Sequence, residues 1–165
     1  MTPYQRMRVA AYPGTFDPPT IAHVAVAEAA KRTCAVERVV LVLSVDPIGK
    51  PSPTPLDDRV RAVEALCAGR PWLGVAVSEH RLIADVCEGY DVVVMGADKW
   101  AQVLDASYHP SNEDWRASLA RLPTVAVARR GDLPIDGDVI LLDVDLPDVS
   151  STAVRDGRDD WRACS

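Results

Sequence analysis

The 165-residue chain is poor in aromatic side chains, which make up 5% of it, and Phe16 is the sole phenylalanine. A core must then be built from Val, Leu, Ile and Ala, and a chain of this length can bury one without cross-links. Cys34, Cys67, Cys87 and Cys164 are widely spaced and form no C-x-x-C pair. That excludes a zinc ribbon and points to reduced thiols, not to a disulfide framework. Basic residues are in the minority, 18 against 24 acidic ones, for a net charge of −6. Nucleic-acid phosphates call for clustered Lys and Arg, so no nucleic-acid partner is expected. No apolar run approaches the roughly 20 residues that span a bilayer. Residues 1–8 show neither an apolar signal core nor a cleavage-site pattern. The expectation is one cytoplasmic domain over residues 1–165, with no membrane partner.

What is present is an alternation. Short β-branched runs fall at 8–12, 38–44, 73–77, 91–95, 124–128 and 139–142, nearly continuous in apolar character as strands covered on both faces should be. Between them lie helical stretches at about 21–34, 56–69, 98–106, 112–121 and 151–162. Lys31 and Arg32 close the first, where the helix dipole favours cations. Strand and helix in repeated succession mean an α/β fold with a mostly parallel sheet. The Pro-rich segment 46–55 is longer than the usual connection, and long loops in compact domains are often functional.

In such sheets ligands sit beyond the carboxyl ends of the strands. The loop after the first strand reads Tyr12-Pro-Gly-Thr-Phe-Asp-Pro-Pro-Thr-Ile-Ala-His23. It is neither a Walker A loop nor a G-x-G-x-x-G turn, yet its chemistry suits an anion. Gly14 permits close backbone approach, the Thr15 and Phe16 amides can point at an oxygen, and the following helix offers its positive end. Thr20 is a good N-cap, with His23 in the first turn. Singly, each residue reads as well as an ordinary turn, cap or surface histidine; together, after the first strand, they point to a phosphate site.

This segment resembles the G-[ST]-F-[DN]-P-x-[HT]-x-G-H signature of the nucleotidyltransferase superfamily, with Ala22 where glycine is usual. Two more blocks follow in the family's order. Met95-Gly-Ala-Asp98 is similar to the G-A-D of the nicotinate and nicotinamide mononucleotide adenylyltransferases, and Val149-Ser-Ser-Thr-Ala-Val-Arg155 resembles their I-S-S-T-x-[IV]-R. The resemblance covers residues 12–155 and implies a Rossmann-like α/β/α sandwich. It also implies transfer of a nucleoside monophosphate from a nucleoside triphosphate, ATP or CTP, to a small anionic acceptor, with pyrophosphate released. Family members range from monomers to hexamers, so a homo-oligomer is compatible with it.

By that resemblance His23, Thr20 and Lys50 are the catalytic candidates. Gly14, Thr15, Phe16, Gly96, Asp98, Ser150, Ser151, Thr152 and Arg155 are expected to bind the nucleotide. Asp98 is expected to hold Mg²⁺, which favours one or two carboxylates plus phosphates; its plain alternative is a helix cap. Ser150 has the same alternative. Arg59, Lys99 and Trp100 are expected at the acceptor. His80 and His109 read as structural or exposed, and Trp72, Trp115 and Trp161 as packing. The chain departs from the mononucleotide adenylyltransferases where they carry an S-Y-T-x-x-T-L-like helix start before the G-A-D strand. It is also short of the aromatics that hold a pyridine ring. Lys50, Arg59 and Lys99 therefore favour a small phosphate or phosphonate acceptor, with nicotinate or nicotinamide mononucleotide as the alternative. A nucleotide-binding regulator without turnover is the third reading.

Overall fold

A computed structural model describes residues 6–45, 52–144 and 149–163. Its centre is a six-stranded sheet of β1 (Val9–Gly14), β2 (Arg38–Ser44), β3 (Leu73–Ser78), β4 (Val92–Gly96), β5 (Thr124–Ala128) and β6 (Ile140–Leu142). The spatial order is β3-β2-β1-β4-β5-β6 and every pairing is parallel. Six helices accompany it: α1 (Ile21–Thr33), α2 (Leu56–Ala68), α3 (Ile83–Val86), α4 (Ala97–Val103), α5 (Asn112–Ala120) and α6 (Ser151–Arg155). None among the described residues is long and apolar enough to cross a membrane.

Successive strand residues alternate between the two helical layers, as the strand period requires. Ala10 and Tyr12 of β1 pack with Val26, Ala29 and Ala30 of α1 and Val63 and Leu66 of α2. Ala11, between them, packs on the other face with Val86 of α3 and Ala97 and Trp100 of α4. Both faces are covered, so the central strands read as unbroken apolar runs. The alanines of α1 let its backbone lie close to the sheet.

The order places β1 beside β4, and the chain leaves these two strands toward opposite layers. Such a switch point opens a crevice at the carboxyl ends of the strands. The β1–α1 loop and the start of α4 meet there.

Two helical expectations are revised. The stretch 151–162 is one helix only to Arg155; Gly157 then takes a φ of +122°, and a 3-10 turn follows at Asp159–Trp161. Residues 98–106 likewise divide into α4 and a 3-10 turn at Ala106–Tyr108. The short α3, on the crossover from β3 to β4, carries too few residues to leave a helical period in the sequence.

Candidate active site

The β1–α1 loop is built around an aromatic trio. Phe16 is fully buried, its ring centroid 5.5 Å from Tyr12 and 4.9 Å from His23, both in edge-on contact. To reach this place Phe16 adopts a φ of +47°. A Cβ at Gly14 would stand 3.0 Å from the Phe16 ring, so the glycine is there because the phenylalanine lies over it.

His23 Nδ1 accepts from the Thr20 backbone N–H at 2.8 Å and stands 3.2 Å from the Thr20 hydroxyl. The neutral ring therefore carries its proton on Nε2. Desolvation, with a further contribution from the charge of Arg130, pushes the His23 pKa down to about 4. At neutral pH His23 is an uncharged donor at the helix start. Thr20 is 1% exposed and forms a capping box with His23 at the start of α1.

Behind the loop, donors from other elements take its carbonyls one after another. Arg59 of α2, 4% exposed, gives Nη1 to the Thr15 carbonyl at 3.0 Å and Nε to the Thr54 carbonyl at 3.2 Å. Arg155 Nη1 donates to the Asp17 carbonyl, Ser151 Oγ to that of Pro18 at 2.7 Å, and the Ala163 amide to that of Pro19 at 3.0 Å. Thr20 and Arg162 form an antiparallel bridge alongside. The Asp17 carboxylate accepts from the Ser52 hydroxyl and the Thr54 amide, with Arg155 Nη1 3.8 Å away. Burial pushes this carboxyl up, but those hydrogen bonds and the arginine charge outweigh it and hold it below the usual range.

The first and last sequence blocks thus meet, but with changed duties. Arg59, expected at the acceptor, holds the loop from inside the protein. Arg155 also gives Nη2 to the Thr152 hydroxyl at 3.1 Å. The Ser150 hydroxyl caps α6, accepting from the Ala153 amide at 3.0 Å.

Across the switch point, Gly96 is the N-cap of α4, and a Cβ there would meet nothing within 4 Å. Asp98 makes no cap. It is exposed, and its Oδ2 lies 3.6 Å from Arg130 Nε. No group of three metal-binding side chains occurs among the described residues. A lone carboxylate still fits magnesium, whose other ligands would be phosphate oxygens and water.

Lys99 faces a small open cleft between the α3 entry, α4 and α5, together with Arg81, Tyr108 and His109 over an apolar floor that includes Ile83 and Val103. Its Nζ donates to Gln102 at 3.2 Å. Trp100, by contrast, is 6% exposed in the core and gives its indole N–H to the Asp136 carbonyl at 2.6 Å. Expected at the acceptor, it packs within the core beneath α4. Lys50 lies outside the described residues.

Arg130 and the cleft residue His109 carry no motif that marks them in the sequence. A signal for Arg130 exists. Gly96 and Ala128 are register partners in β4 and β5, so a residue two beyond Ala128 falls level with Asp98.

A family model described as cytidylyltransferase-like matches residues 11–157. The chain is 27% identical to a probable nicotinate-nucleotide adenylyltransferase of Sulfurimonas denitrificans, over 90% of this chain and 84% of that protein. It is 31% identical to a protein of the same description in Ruegeria pomeroyi, over 79% of this chain and 65% of that protein.

Proposed function

The chain belongs to the cytidylyltransferase-like family, and on that premise we propose that it moves the adenylyl group of ATP to the phosphate of a nicotinate mononucleotide. The class is that of a nucleotidyltransferase; the two substrates are the proposed part. An acceptor phosphate oxygen attacks the α-phosphorus, the bond from that phosphorus to the bridging oxygen breaks, and pyrophosphate leaves with the electron pair. Little covalent help is needed, so catalysis consists of positioning and charge stabilisation. The Thr15 and Phe16 amides and the start of α1 receive the phosphates. His23 Nε2–H donates to an α-phosphate oxygen as charge builds there. A magnesium ion would be held by Asp98 and would neutralise phosphate charge.

The observation that carries the acceptor assignment is the cleft beside Asp98. It joins an apolar floor and the Tyr108 ring to the cations Arg81 and Lys99, a lining suited to a flat ring bearing a carboxylate. The relatives' description agrees with it. A bare phosphate or phosphonate acceptor drew its support from three cations at one edge. Arg59 is spent on the Thr15 and Thr54 carbonyls, and the apolar floor would go unused.

The test is pyrophosphate release by purified protein with Mg²⁺, crossing ATP and CTP with nicotinate mononucleotide, nicotinamide mononucleotide and small phosphonates. ATP with nicotinate mononucleotide should give the highest kcat/KM. A phosphonate in first place overturns the acceptor, and CTP in first place the donor. Nucleotide binding without turnover for any pair would make the chain a regulator.

A further inference from the structure

We propose that Arg130 is a catalytic cation of the transfer, bridging the attacking acceptor phosphate and the α-phosphoryl group as they come within bonding distance. The inference rests on the nucleotidyl-transfer reading above. It concerns a residue outside the three sequence blocks.

Place comes first. Arg130 follows β5 by two residues, as Asp98 follows β4, and the strands are in register up to Gly96 and Ala128. The side chain therefore stands at the carboxyl edge beside the switch point. Its Nε is 3.6 Å from Asp98 Oδ2, and its charge acts on His23 of α1. Asp98 and Lys99 are consecutive on α4; one meets Arg130 and the other the acceptor cleft. Arg130 is thus at the junction of the cleft and the His23 face, where the two reacting phosphates must meet.

The second step is charge. An acceptor phosphate and a triphosphate repel each other, and the repulsion is greatest as the new P–O bond forms. His23, with a pKa of about 4, brings no positive charge at neutral pH. Arg155 and Arg59 are committed to carbonyls behind the loop. A guanidinium presents a planar fork that can serve two anionic groups at once, stays charged, and sheds water more readily than an ammonium.

The third step is availability. The ion pair with Asp98 is long, and the side chains are 39% and 62% exposed. Exposed pairs of this kind contribute little to stability, so parting them for a phosphate costs little. Asp98 keeps the guanidinium aimed at the site until the phosphates arrive. No proton passes through Arg130; the P–O bond changes are those of the transfer itself.

The test uses the full chain with Arg130→Ala, Arg130→Gln and Arg130→Lys, measured against wild type for turnover with ATP and nicotinate mononucleotide, for ATP affinity and for Tm. Ala and Gln should each lower kcat by about 10²-fold or more, the range for lost oxyanion-type donors. ATP affinity should change less than about threefold and Tm should hold. Lys should recover only part of the loss, because a point charge cannot fork. Turnover within threefold of wild type in Ala or Gln overturns the proposal, as does a loss confined to the KM for ATP. Wild-type protein inactive with every acceptor would instead overturn the nucleotidyl-transfer reading.

Discussion

A histidine with a pKa near 4 is neutral wherever the enzyme works, and burial, aided by the charge of Arg130, keeps it so. The Thr20 amide occupies Nδ1, the Phe16 ring lies against the imidazole, and Arg130 opposes a second positive charge. The unfolded chain takes up a proton on this residue below about 6.5 and the folded one only near 4, so stability is lost as pH falls through that window. The His23 ring followed by NMR in the free protein should stay neutral down to about pH 5. The Tm should decline between pH 6.5 and 4, and less in His23→Asn than in wild type. A ring titrating near 6.5 would contradict the local geometry. In turnover, His23→Ala should lower kcat by about 10²-fold with ATP affinity nearly kept, because the donor matters when charge develops. Gly14 is the other residue on which the loop depends. Gly14→Ala sets a methyl 3.0 Å from a fully buried ring that is wedged between Tyr12 and His23. Overpacking of that kind costs about 1–3 kcal/mol, and denaturant unfolding should show it.

At the scale of elements, the β1–α1 loop is a piece of backbone held from behind. Arg59 from α2, Arg155 and Ser151 from α6, and the Ala163 amide take the carbonyls of Thr15, Asp17, Pro18 and Pro19. With Pro18 and Pro19 lacking N–H groups, what remains for a ligand is the short run of amides before them. Arg59→Ala leaves the Thr15 and Thr54 carbonyls without their donor, and hydrogen bonds to charged groups are worth about 1.5–3 kcal/mol. A loss of that size in unfolding free energy is expected, together with a rise in KM for ATP. Lysine at 59 should restore little of either, since one ammonium does not reproduce two forked bonds. An unchanged KM would show that the loop keeps its shape unaided. The strands were legible in the sequence because burial on both faces writes unbroken apolar runs, and α1 and α2 because their lengths suffice for a period. The end of α6 was not, since Asp156 and Gly157 break a pattern that Trp161 otherwise continues. Nor was the direction of Arg59. Its sequence position suggested the acceptor, and only the tertiary fold turns it inward to the loop.

For the whole molecule, the strand order decides what meets what. With β1 beside β4, three blocks separated by fifty residues or more converge on one crevice, and their order along the chain made that convergence legible. The cleft beside Lys99 was less so, because its lining comes from α3, α4 and the 3-10 turn at Ala106–Tyr108, which carry no periodic signature. Trp100 illustrates the difficulty. Its place after Gly-Ala-Asp suggests a ring-stacking wall, yet the helical turn sends it into the core, and Tyr108, 47% exposed, lines the cleft in its stead. Lys99, one position earlier, is sent toward the cleft, so it can read charge where Trp100 cannot read a ring. If the acceptor ring carries a carboxylate, Lys99 contributes a charge-assisted bond that the corresponding amide cannot match. Lys99→Met keeps the apolar stem and removes the charge, at some cost to the bond with Gln102. The expected result is about a tenfold or greater loss of kcat/KM for nicotinate mononucleotide, the equivalent of about 1.4 kcal/mol. Nicotinamide mononucleotide should change by less than about threefold, and the KM for ATP should not move. An equal loss with both acceptors would mean that Lys99 serves their shared phosphate. No loss with either would remove it from the acceptor site.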